Sequence, residues 1–188
     1  MPYYVMVGEG VYPVARIKKT HRDHLENDLW IDGNFITFNV PEPILYDLDP
    51  KRPGNPKILY DAATIPVMHI SLLDALTAVG VDNLQVYDAI IRDLDKGIEY
   101  KNYKAFNIVG KISAADMDKS IMMGTSDSVM IDADFDRLVI DESKCQDQLL
   151  FRLAENMTAI IVHERIKNEV EKRGIKGIFF YASGEWAG

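Results

Sequence analysis

IIVHERIKNEVEKRGIKGIFFY, residues 160–181, carries the pattern that decides the fold. Ile160, Ile161 and Val162 form an apolar run, Ile166 and Val170 follow at helical spacing, and Ile175 with residues 178–181 is β-branched and aromatic. That order predicts a strand, a short amphipathic helix and a second strand. Gly174 stands just past the helix, where a left-handed backbone favours a residue without a Cβ. Lys167, Lys172 and Arg173 lie toward the helix C-terminus, where cations complement the dipole.

Shifting the sequence by 94 residues lays PVMHISLLDALTAVGVDNLQVY, residues 66–87, on the same template. Val67 then meets Ile161, His69 meets His163, Leu72 meets Ile166, Leu76 meets Val170, Gly80 meets Gly174 and Tyr87 meets Tyr181. A solenoid would need further stacked copies. The match predicts two pseudo-repeated strand-helix-strand units, each helix laying its apolar pair on a sheet; two unrelated units obeying the same local rules are the alternative. Each histidine falls where strand turns into helix, which suggests a hydrogen bond that starts the helix rather than two active sites.

Outward from these units, residues 2–7 predict a strand, and LWIDGNFITFNV (29–40) predicts a hairpin around Asp32-Gly33-Asn34. Residues 41–56 hold five of the eight prolines and read as a loop, neither helix nor central strand. Charged residues 92–104 separate the first unit from a strand at 105–112, and Ser113 is placed to cap a helical turn over 117–122. Alternation over 130–136 puts Asp132, Asp134 and Asp136 on one strand face and Ile131, Ala133 and Phe135 on the other. Further strands are expected at 138–140 and 149–153. The fold class is therefore α+β: a mixed, mostly antiparallel sheet with few short helices. Residues 1–60 are expected to pack, as hairpin and Pro-rich region, on 61–188 in one compact domain.

Composition narrows the function classes. The chain has 188 residues, 47% of them hydrophobic, a mean hydropathy of -0.10, and no run approaching the about 20 apolar residues of a membrane helix. MPYYVMVGEG lacks the basic and apolar regions of a signal peptide, and a lone Cys145 fits a reducing compartment, so a cytoplasmic location is expected. A net charge of -8 and a pI near 5.0 make nucleic acid and anionic membranes poor partners and a basic protein surface a good one. Residues 111–147 hold nine acids and four bases, so much of the excess charge is concentrated there.

Motifs of catalysis fail one by one. Asp132, Asp134 and Asp136 open like a calcium loop, but Arg137 replaces the required Gly and Ser143 the closing Glu. His21 and His24, with Asp23, Glu26 and Asp28, lack the Cys or third His of a zinc site. No nucleophile elbow, P-loop or dinucleotide fingerprint occurs, and Cys145 has no activating neighbours. Neither a metal, nor a cofactor, nor an enzyme is expected.

The tail carries a more specific likeness. Phe151-Arg152-Leu153, then an apolar strand leading into Glu164-Arg165-Ile166-Lys167, then residues 174–180 with Gly174 and Gly177 before alternating apolar positions, resemble the bacterial polymorphic-toxin immunity family numbered eleven. The likeness spans residues 65–181. It implies a cognate antidote to a toxin delivered by contact-dependent or type VI secretion, often a nuclease, with no catalytic residues to carry over. On that reading the toxin has a basic surface, and the docking residues are Asp127, Asp132, Asp134 and Asp136, then Tyr46, Asp47 and Asp49 of the Pro-rich region. Two other readings stand beside it: a ligand-binding domain with its site between the two units near His69 and His163, and an assembly protein with a self-complementary apolar patch.

Overall fold

The computed structural model describes residues 2–10, 15–17, 25, 30–52, 54–123 and 134–188. Among the described residues two α-helices, α1 (Ile70–Ala78) and α2 (Glu164–Lys172), pack on two larger sheets. One sheet is formed by β1 (Tyr3–Gly8), β8 (Lys111–Ile112), β11 (Leu150–Leu153), β12 (Ile160–His163) and β13 (Ile178–Ala182), in the order β13-β1-β12-β11-β8. The other takes β2 (Ala15–Ile17), β3 (Ile44–Leu48), β4 (Leu59–Tyr60), β5 (Val67–His69), β6 (Leu84–Asp93) and β7 (Ile98–Ile108), in the order β2-β3-β6-β7-β5-β4. β9 (Ile121–Met122) and β10 (Phe135–Arg137) form a separate ribbon. Among the described residues only β3–β6 and β11–β8 are parallel pairs, so the fold is α+β with mixed, mostly antiparallel sheets.

Both stretches picked out by their hydrophobic spacing are strand-helix-strand units. In each, the two strands run parallel with one antiparallel strand between them: β7 separates β5 from β6, and β1 separates β12 from β13. The helices begin alike. His69 Nδ1 accepts the Ser71 N–H and His163 Nδ1 accepts the Arg165 N–H, each at 3.1 Å, filling the cap role that short polar side chains usually take. They also end alike. Gly80 (φ 96°) and Gly174 (φ 66°) donate to Thr77 and Glu171 carbonyls, while Val81 and Ile175 donate to Leu76 and Val170. That pair of bonds around a left-handed glycine closes the last turn.

Three apolar layers hold these parts together. Leu72 and Leu76 of α1 and Ile166 and Val170 of α2 meet Met68, Phe106 and Ile108 of one sheet and Met6, Leu150, Ile160 and Val162 of the other, so both helices share one core. Residues between consecutive inward side chains point to the opposite faces, as a pleated strand requires. Val5, Phe151, Leu153 and Ile161 thus form an outer layer with Phe135, Leu138, Ile140 and Trp186. Ile44, Tyr46, Val67, Ala89, Ile91 and Tyr103 form the third, under Trp30, Ile36 and Val40.

Several expectations from local pattern are corrected. Residues 30–40 contain no strand and Leu29 lies outside the described residues; instead of a hairpin ladder, the Ile36 N–H and C=O bond the Gln85 side chain, and Asn107 Nδ2 donates to the Asn34 carbonyl. The Pro-rich stretch is not all loop: Ile44–Leu48, free of proline, forms β3 between β2 and β6, with the prolines on either side. Residues 92–104 do not separate elements but continue β6 and β7 through a turn at 94–97. The helical turn expected over 117–122 is confined to its first residues, where the Asp116 carbonyl accepts the Lys119 and Ser120 N–H groups at 3.2 and 2.8 Å, and Ile121–Met122 pairs as β9.

Candidate functional site

The charged surface near β10 is built by alternation. Phe135 is fully buried in the outer core, which turns Asp134 and Asp136 on either side of it to solvent. Neither carboxylate makes an ion pair with the described residues. Asp127 and Asp132, and the expected strand at 130–133, lie outside the described residues. Facing β10, β9 exposes Ile121 and Met122, and Met117 and Met123 beside it are exposed as well. Met123 N–H donates to the Asp134 carbonyl at 2.9 Å, so Met123 and Asp134 lie opposite each other across the ribbon, while Met122 lies opposite Phe135. Asp118 is also exposed on this segment. Four exposed apolar side chains within seven residues, beside charge, are a composition suited to protein docking. The acids were legible from alternation; the exposed apolar side chains were not, because 117–122 reads as a helical turn whose apolar residues would point inward.

The second predicted patch does not survive as a surface. Tyr46 is fully buried, and its hydroxyl donates to the Ile65 carbonyl at 3.0 Å, so it is core and not an aromatic anchor. Arg92 Nε holds Asp47 Oδ1 at 2.6 Å, and Arg16 reaches Asp49 at 3.3 Å while the Lys51 N–H bonds the same carboxylate at 3.0 Å. These acids serve the packing of β2, β3 and β6. Period-two alternation in β3 sends Ile44, Tyr46 and Leu48 inward and leaves Asp47 at the rim.

A cleft of about 500 Å³ opens where the two sheets meet, lined by Val7, Gly8, Tyr60, Asp61, Phe179 and Tyr181 among others. Neither His69 nor His163 lines it; both are helix caps. Asp61 accepts the Gly8 N–H at 3.1 Å. Lys57 donates to the Gly10 carbonyl and sits 5.5 Å from the Tyr60 ring centre, with burial pushing its ammonium pKa down. Cys145 is buried, and burial first, then Glu142 and Asp141, raise its thiol to about 11, which leaves it protonated and unreactive at neutral pH. Among the described residues no group of three or more His, Cys, Asp or Glu side chains could hold a metal, and no helix is long and apolar enough to cross a membrane.

Arg152 of the tail motif is fully buried in β11. Its Nη1 donates to the Thr158 carbonyl at 3.0 Å, while Nε and Nη2 have no protein partner. Burial lowers its pKa to about 10 against the opposing field of Asp61. The motif positions Phe151, Leu153, Ile166 and Val170 are core and Gly174 is a cap, so the tail that carries the family likeness is a folding signature.

Comparison with known proteins agrees with that signature. No curated protein matches the chain. A family model described as Immunity protein family (Imm11) matches residues 6–185, nearly the whole sequence and well beyond the tail motif, and the chain belongs to the Imm11 immunity protein family.

Proposed function

We infer that the protein neutralises a secreted nuclease toxin without catalysis, in the cytoplasm, by covering the basic face with which the toxin would grip nucleic acid. The observation that carries this is the exposed ribbon of β9 and β10: Met117, Ile121, Met122 and Met123 are exposed, Met123 lies opposite Asp134, and among the described residues neither Asp134 nor Asp136 has an ion-pair partner. Carboxylates stand in for phosphates and steer a cationic partner, while desolvated apolar side chains supply the lasting affinity. Methionine suits this task because its unbranched thioether adapts to the surface it meets. Asp127 and Asp132 extend the acidic run in sequence and belong to the proposed surface; Tyr46, Asp47 and Asp49 do not.

Co-expression with the C-terminal domain of the toxin encoded beside this chain tests the reading. The wild type is expected to co-purify with the toxin and restore growth, and Asp134→Lys with Asp136→Lys to weaken capture and flatten its salt dependence. Full protection by the charge-reversed chain would move the interface elsewhere. A toxin that is neither bound nor neutralised by the wild type would sink the reading itself.

A further inference from the structure

The outer edge of the five-stranded sheet is β13, IFFYA, and none of its five residues is charged. β1 covers one side of it, and among the described residues no strand covers the other. The direction of its free groups follows from register. Glu9 N–H donates to the Gly177 carbonyl at 2.9 Å, and Val7 and Val5 lie opposite Phe179 and Tyr181. Hydrogen-bonded pairs recur at every second residue of an antiparallel ladder, so Phe179 and Tyr181 turn their backbone groups to β1 and Ile178 and Phe180 turn theirs outward. At the strand's end Glu185 accepts the Ala182 N–H at 3.3 Å and donates its own N–H to the Ala182 carbonyl at 2.9 Å, so Ile178 and Phe180 are the residues that leave the edge open. Native edges are usually blunted by lysine, proline or a bulge within the strand. Here the edge instead carries two exposed aromatics on one face, Phe179 at 51% and Tyr181 at 38%, overhanging the cleft between the sheets.

We propose that β13 is a dimerisation edge, taken by β13 of a second copy of this chain running antiparallel about a twofold axis at Phe180. That register is self-complementary. Phe180 exchanges both backbone bonds with its own counterpart, the Ile178 N–H shares the Ala182 carbonyl that Glu185 also uses while the Ala182 N–H stays with Glu185, and Phe179 stacks against Tyr181 of the second copy, a pair that occurs twice. Two five-stranded sheets become one of ten strands. Charge favours a like partner here over a basic one: residues 164–185 with Glu9 hold five acids and five bases, so this neighbourhood is balanced in a chain of net charge -8. Two copies meet without repulsion, and a cationic toxin face gains nothing. The acidic surface at β10 remains a separate feature, and dimerisation stands or falls independently of toxin binding.

Light scattering on the eluting full-length chain, from micromolar to high-micromolar concentration, tests the proposal. A species of twice the 21.3 kDa chain mass is expected to accumulate with concentration. Phe179→Lys with Tyr181→Lys removes both aromatic pairs and is expected to raise the dimer dissociation constant at least about tenfold. Leu94→Lys, at a still more exposed apolar residue in the β6–β7 turn, is expected to leave it unchanged. If the double variant misfolds, amide exchange on the wild type decides, with the Ile178 and Phe180 N–H groups slowing as concentration rises. A chain that stays at 21.3 kDa, a dimer indifferent to the double substitution, or exchange at 178 and 180 indifferent to concentration would each overturn it.

Discussion

His69 and His163 hold equivalent places in two different sheets. Each caps a nine-residue helix through Nδ1, and each lies opposite a tyrosine of the intervening strand, Tyr103 and Tyr3 respectively. The ring centres are 5.2 Å apart in both pairs, with interplanar angles of 81° and 89°. Such edge-on packing adds to the cap because the ring is fixed by its neighbour as well as by its hydrogen bond.

Acid should therefore loosen both units. A nitrogen that accepts a backbone N–H cannot carry a proton, and burial is the first cause holding both rings below the ordinary histidine value of 6.5. The unfolded chain binds the proton more readily, so this stability is complete above the unfolded value and is lost as pH falls through it. Thermal unfolding followed between about pH 7.5 and 5.5 is expected to show a falling midpoint. His69→Asn with His163→Asn keeps an accepting cap and removes the titration, so its slope should be flatter. An equal slope in both proteins would assign the effect to other groups.

Gly8 marks the place where the sheets touch. A Cβ built there would lie 2.4 Å from the Leu59 carbonyl oxygen, which as backbone cannot swing aside. Gly8→Ala is expected to cost about 1–3 kcal/mol in denaturant unfolding, as overpacking does, without changing the helical signal. A neutral substitution would mean that the sheets can slide apart at this point.

Arg152 is a charge without a counter-ion in contact. Replacing a buried, poorly compensated ion with an apolar side chain of similar length is often neutral or stabilising. Arg152→Met should unfold within about 1 kcal/mol of wild type or above it, whereas Arg152→Ala should lose about 2–4 kcal/mol to the cavity left behind. If methionine were as damaging as alanine, the guanidinium would be contributing bonds that packing cannot replace.

Binding should divide between the two parts of the acidic surface. Ile121→Ala with Met122→Ala is expected to weaken capture of the toxin about tenfold, mostly through faster release. Charge reversal at Asp134 and Asp136 should act mostly on the association rate at low salt. Surface plasmon resonance distinguishes the two, and identical rate profiles would deny the division.

What could be read in advance was what depends on neighbours in sequence. Helix spacing, capping glycines and the alternation around Phe135 are local, and each is present. The misread stretches depend on distant partners. Residues 30–40 look like a hairpin until Gln85 and Asn107 are seen to satisfy their backbone, and β3 hides among prolines until β6 is laid beside it. Tyr46 fails as a surface anchor for the same reason, since nothing local shows that the Ile65 carbonyl waits for its hydroxyl.

β1 lies between β12 and β13, so residues 3–8 find their strand partners at residues 160–182. Closing a loop of roughly 150 residues costs on the order of 4 kcal/mol in chain entropy before any contact repays it. During synthesis the apolar YYVMVG segment therefore waits without its strand partners until residues 160–182 have been made. A product cut short before residue 160 would lack the partners of β1, so immunity would depend on synthesis reaching β12 and β13 rather than on its onset.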